Sequence, residues 1–96
     1  MEKKYFVYIL GSNRLTLYIG TTSNLVKRVY QHKNGFVEGF TKKYKIHKLL
    51  FYEIYDTPSE AIEGEKQMKN WHREWKLNLV KSINPGFRDL YPEILK

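Results

Sequence analysis

Two short, largely apolar runs open this chain. Residues 5–10 (YFVYIL) and 16–21 (TLYIGT) are rich in β-branched and aromatic side chains, and the Gly-Ser-Asn-Arg stretch between them is a turn signal. The pattern predicts an antiparallel hairpin. With the turn centred on Asn13, Leu10 pairs with Thr16, Tyr8 with Tyr18 and Phe6 with Gly20, so the two tyrosines become cross-strand neighbours on one face. A one-residue slip would send them to opposite faces. Gly20 would let another backbone or a phosphate come close.

Helical spacing then takes over. Thr22, Ser23 and Asn24 are N-cap candidates for a helix over residues 24–33, which Asn34-Gly35 ends. Leu25 and Val29 mark its packed stripe, and Arg28 and His32, four apart, project beside it. Residues 35–39 read as a loop, 41–44 as a short helical turn, and 48–55 (KLLFYEIY) as a third strand. Thr57-Pro58-Ser59-Glu60 is a capping box with proline at the first helical position. The helix it opens should turn Ala61, Ile62, Met68 and Trp71 inward, with Glu65 in the middle of that stripe. A last helix over 73–82 should bury Trp75, Leu79 and Ile83 before Asn84-Pro85-Gly86 stops it. The expectation is an α/β chain with a three-stranded antiparallel sheet flanked by helices. Residues 1–86 would form one domain, with 87–96 as a tail packed on it or mobile.

Composition narrows the function classes. Ninety-six residues suit one domain whose core leans on fifteen Phe, Trp and Tyr side chains. There is no cysteine, which excludes a disulfide scaffold, a thiolate metal site and a thiol nucleophile. The start, Met-Glu-Lys-Lys, lacks a leader-like apolar stretch and no segment reaches membrane-spanning length, so a soluble cytoplasmic protein is expected. Seventeen Lys and Arg against ten Asp and Glu give a formal charge of +7. That charge favours a polyanionic partner, since each neutralised phosphate releases a condensed counterion. The bases gather at Lys42, Lys43, Lys45 and Lys48 and along Lys66, Lys69, Arg73 and Lys76, with Phe40, Tyr44, Trp71 and Trp75 among them. This interleaving points to nucleic acid rather than an anionic membrane.

Glu65 is the residue the periodicity does not explain. A buried, unpaired carboxylate costs several kcal/mol, so it must be paired, protonated, reached by solvent or bound to a metal. The plain alternative makes it the wet flank of the helix, bridged to Lys69. Magnesium often binds through only one or two carboxylates, whereas His32, His47 and His72 lack zinc-like spacing. Tyr8 and Tyr18 could be ordinary strand residues, and Arg28 and His32 ordinary surface ones.

Taken together, Val7-Tyr8-Ile9, Tyr18-Ile19-Gly20, Arg28, His32 and Glu65 resemble the GIY-YIG nuclease family over roughly residues 4–83. Val7 stands where the family name has glycine. The chain looks most like the small single-domain bacterial members of that endonuclease family. The resemblance implies a GIY-YIG-like fold and a metal-dependent endonuclease that hydrolyses phosphodiester bonds in DNA. Glu65 would hold Mg2+ or Mn2+, Tyr8 would take the proton of the attacking water, and Tyr18 would help position that water or the phosphate. Arg28 would stabilise charge in the transition state, and His32 would orient a tyrosine or touch phosphate. Lys42, Lys43, Lys45, Lys66 and Lys69 would contact the nucleic acid. No membrane and no small-molecule cofactor are expected, and the chain would act as a monomer or weak dimer. The alternative is a non-catalytic nucleic-acid-binding module of the same fold.

Overall fold

The computed structural model describes residues 3–37 and 39–96. Met1, Glu2 and Glu38, which fall inside the span 1–86 expected to form the domain, lie outside the described residues. The elements in chain order are β1 (Tyr5–Gly11), β2 (Leu17–Thr22), α1 (Leu25–Lys33), α2 (Phe40–Lys43), β3 (Lys48–Tyr55), α3 (Pro58–Asn70), α4 (Arg73–Ile83) and α5 (Tyr91–Ile94). The strands form one antiparallel sheet in the order β2-β1-β3, with β1 in the centre.

Strand alternation gives the sheet two packed faces. Val7, Ile9 and Ile19 face Ala61 and Met68 of α3 and Val80 of α4. Tyr8, Leu10 and Leu49 face Leu25 and Val29 of α1, together with Ile46 and Leu90. Leu50 and Phe51 are consecutive, yet both lie in the α3–α4 cluster. A bulge allows this: Ile9 pairs with Phe51 but Leu10 pairs with Leu49, which leaves Leu50 extra in the ladder. Gly11 makes room for it, because a Cβ there would stand 2.5 Å from Leu50 Cδ1.

The hairpin register differs from the expected one. Tyr8 pairs with Gly20, Leu10 with Tyr18 and Phe6 with Thr22, a slip of two residues. The cause lies in the loop. Ser12 Oγ accepts from the amides of Arg14 and Thr16 at 3.2 and 3.0 Å, and Leu15 takes a left-handed φ of 60°. That side-chain cap centres the turn on Arg14 rather than Asn13. A slip of two preserves the side-chain face, so Tyr8 and Tyr18 still share it, as diagonal neighbours.

The helix caps follow the sequence: Asn24 Oδ1 accepts from Lys27 N at 3.1 Å, and Thr57 Oγ1 accepts from Glu60 N at 3.2 Å. Three inward assignments fail. Ile62, Trp75 and Ile83 are exposed, while Ala61, Met68 and Val80 carry the buried stripes. The sheet is only three strands wide, so α3 and α4 each bury a narrow stripe and the flanking apolar positions meet solvent.

The chain after α4 is tied to β3. Buried Asn84 donates from Nδ2 to Leu50 O at 3.2 Å and to Arg88 O at 2.7 Å, and accepts from Arg88 N at 3.1 Å. Asp89 Oδ1 accepts from Leu49 N and Tyr91 N, both at 3.0 Å, its Oδ2 pairs with Lys33 Nζ, and Leu90 N donates to Leu49 O at 2.7 Å. Burial pushes the Asp89 carboxyl up, but the hydrogen bonds from Lys33 and the two amides outweigh it and hold the group below its ordinary value. Leu90 is buried, and Tyr91 and Ile94 pack partly beneath the α1 face.

Candidate active site

The α1 face of the sheet holds four of the five residues singled out from the sequence. Tyr8 comes from the central strand, Tyr18 from β2, and Arg28 and His32 from successive turns of α1. The Tyr8 and Tyr18 ring centroids are 6.3 Å apart, and the His32 ring lies 5.9 and 5.3 Å from them. Gly20, directly across from Tyr8, is where the phenol rests: a Cβ at Gly20 would fall 2.5 Å from Tyr8 Oη and 2.7 Å from Cζ. The space left by this glycine, expected to admit a backbone or a phosphate, is therefore filled by Tyr8.

Three buried groups form a hydrogen-bonded chain. Tyr8 Oη is 3.1 Å from His32 Nε2, and His32 Nδ1 is 2.9 Å from Thr41 Oγ1. Burial, then the nearby Arg28 guanidinium, lower the His32 pKa to about 4, so the ring is neutral at pH 7. A neutral imidazole donates from one nitrogen and accepts at the other, and either tautomer completes the chain. Thr41 was legible in the sequence only as the start of a helical turn. No local spacing ties it to His32, nine residues earlier, so its part in the site is a tertiary fact.

Burial pushes the Tyr8 phenol up to about 12, and the charges of Tyr18 and Glu65 add to that, while Arg28 beside it pulls the other way. Tyr8 in turn raises the pKa of Arg28. The guanidinium is half-buried and donates to Gln31 Oε1 at 3.3 Å, an i,i+3 contact that steers it on the helix. It opens onto a polar groove lined by Thr22, Ser23, Lys27 and Gln31, where a phosphate oxygen could reach it.

Glu65 arrives from α3, which packs on β1 and β2, and its charge is felt at Tyr8. Its side chain is 19% exposed and its Oε2 meets Lys69 Nζ at 3.0 Å. Among the described residues no group of three His, Cys, Asp or Glu could cage a metal. A lone, water-reached carboxylate fits Mg2+ or Mn2+ completed by water and phosphate oxygens, and does not fit a protein-only cage. Lys69 is a weak competitor, since an i,i+4 pair with an ammonium this exposed is worth about 0.3–0.5 kcal/mol. Of the expected nucleic-acid contacts, Lys42 and Lys43 lie on α2, Lys45 just beyond it, and Lys66 and Lys69 on α3, all exposed.

His32 predicts a pH dependence of stability. Its folded pKa lies below its unfolded one, near 6.5, so between about pH 6.5 and 4 the unfolded chain binds the extra proton. Stability contributed by the neutral ring is complete above pH 6.5 and is lost as the pH falls to 4, on the order of 3 kcal/mol. Urea midpoints measured across that window should fall for the wild type. His32→Gln should remove that part of the slope, and parallel curves would show that His32 is not the titrating group.

Residues 4–78 match the model of the GIY-YIG catalytic domain. A UPF0213 protein of Staphylococcus saprophyticus is 34% identical over 77 residues, covering 80% of this chain and 94% of that protein. One from Staphylococcus epidermidis is 36% identical over 78 residues, covering 81% and 95%. The solution NMR structure of the UPF0213 protein BH0048 from Bacillus halodurans superposes with a TM-score of 0.54 at 25% identity, covering 83% of this chain and 85% of that one. This chain belongs to the GIY-YIG family, alongside the small UPF0213 proteins.

Proposed function

We propose that this chain is a divalent-metal-dependent endonuclease that hydrolyses phosphodiester bonds in DNA. The observation that carries the reading is the chain from Thr41 through His32 to Tyr8, set beside the Arg28 guanidinium. Tyr8 Oη would accept the proton of an attacking water as its own phenolic proton passes to His32 Nε2, while Nδ1–H donates to Thr41 Oγ1. At rest both groups are neutral and this transfer is unfavourable. A phosphate oxygen bound at Arg28 offsets the guanidinium's field and raises the proton affinity of His32. Arg28 would also meet the negative charge that grows on the phosphoryl oxygens in the transition state. Tyr18, against the His32 ring, would fix the position of the water or phosphate. Glu65 would hold Mg2+ or Mn2+, which when bound supplies Lewis-acid polarisation of the phosphate. The +7 charge and the exposed lysines suit a nucleic-acid substrate.

A second reading, a nucleic-acid-binding module without turnover, is favoured by the Lys69 ammonium on Glu65. Cleavage of labelled duplex, branched and single-stranded DNA, with RNA alongside, separates the two. Metal-dependent cutting of DNA that Tyr8→Phe slows by on the order of 10² is the expected result. Undiminished cutting in chelator, or a Tyr8→Phe variant as fast as the wild type, would overturn the mechanism. Tight binding with no cutting would leave the second reading.

A further inference from the structure

The loop between β1 and β2 separates two shallow basic clefts. On one side Arg14 and Thr16 face Lys43, Lys45 and His47. On the other, the same two residues face Arg73 and Lys76 of α4. Neither lining contains an acidic side chain. The loop is stiff: Ser12 N donates to Thr16 O at 3.0 Å, Leu15 N donates to Ser12 O at 3.0 Å, and Ser12 Oγ accepts two further amides. Arg14 is thus presented from a fixed arch. The two basic groups that the sequence keeps thirty residues apart, around Lys43 and around Arg73, become one cationic track that crosses the hairpin tip at Arg14.

We propose that this track binds the sugar–phosphate backbone of the substrate away from the scissile bond, with Arg14 as its central contact. The inference deepens the nuclease reading and rests on it for which strand the track holds. From Tyr8 to Gly11 is three strand residues, about 10 Å, so the track meets phosphates beyond the one at Tyr8 and continues around the loop toward α4. Exposed Tyr44 also lines the first cleft, its ring in contact with Lys43 Nζ at 5.4 Å and with the Phe40 ring at 4.7 Å between centroids.

Fluorescence anisotropy of a labelled DNA oligonucleotide in chelator tests the track without turnover. The variants are Arg14→Ala/Lys45→Asn and an off-track control of equal charge, Lys81→Ala/Lys96→Ala. Asparagine replaces Lys45 because that residue has a left-handed φ of 55°. The track variant should bind about tenfold more weakly, with the slope of log K against log salt smaller by roughly 1.5, while the control stays near wild type. Equal losses in both variants would mean that net charge alone attracts the DNA, and would overturn the track. So would a wild type with no salt-sensitive binding to nucleic acid, the result expected of a protein-docking surface. A wild type that binds through the track but never cuts would remove the nuclease reading and leave the track standing. A Glu65-dependent nuclease whose track variant binds like the control would do the reverse.

Discussion

Glu65→Gln is expected to lower the single-turnover cleavage rate by on the order of 10³ at saturating Mg2+. The amide keeps the size of the carboxylate but removes the negative charge that Glu65 contributes toward Tyr8 from α3. A metal contributes several kcal/mol of transition-state stabilisation, and about 1.4 kcal/mol is a factor of ten. The fold should barely notice. The interaction lost is an i,i+4 helix pair whose Lys69 ammonium is exposed, so the melting temperature should stay within about 4 °C of wild type. Circular dichroism melts beside the rate measurement separate a lost ligand from a lost fold. A variant that cuts at the wild-type rate would take Glu65 out of the mechanism, and the Lys69 pair would then be its whole role.

The second large effect is expected from a methyl group. Gly20→Ala would put a Cβ 2.5 Å from Tyr8 Oη, 2.7 Å from its Cζ and 3.2 Å from Tyr18 Cε2. Tyr8 is 1% exposed and held by His32, so it has no free direction in which to yield. Overpacking of this kind costs about 1–3 kcal/mol, and moving a reacting group by about 1 Å costs on the order of 10² in rate. Adding Tyr8→Phe to Gly20→Ala removes the oxygen nearest the new methyl. The double variant should recover part of the lost stability and none of the activity. If Gly20→Ala melts and cuts like the wild type, the phenol does not depend on the glycine for its seat.

The sequence carried the strands, the helix caps and the pairing of Arg28 with His32, because each rests on local chemistry. Lys48–Tyr55 reads as a strand from its own residues, and Thr57-Pro58 announces α3 without help from the rest of the chain. The register of the hairpin was less legible. It depends on Ser12 Oγ choosing two amides, a competition that composition does not decide. The direction of Trp75 and Ile83 was misread because an apolar residue at helical spacing need not find a sheet wide enough to cover it. Thr41 was out of reach for a different reason. Its hydroxyl matters only because α2 folds back against His32, and no periodicity records that contact. The consecutive burial of Leu50 and Phe51 likewise needs the bulge, which strict alternation forbids.

The bonds that fasten the tail to β3 also bear on how the sheet meets its neighbours in solution. A three-stranded sheet has two open edges, and an unpaired edge invites another chain to add a strand. On the outer side of β3, Asp89 accepts the Leu49 amide and Leu90 donates to the Leu49 carbonyl, so the backbone there is already taken. Further along, Glu53 stands exposed beside Ile54, a charge that discourages pairing where the tail no longer reaches. The C-terminal residues thus act as an edge guard as well as a floor under the Tyr8 face. They leave the β3 edge of the sheet with fewer free backbone groups for another chain to pair with.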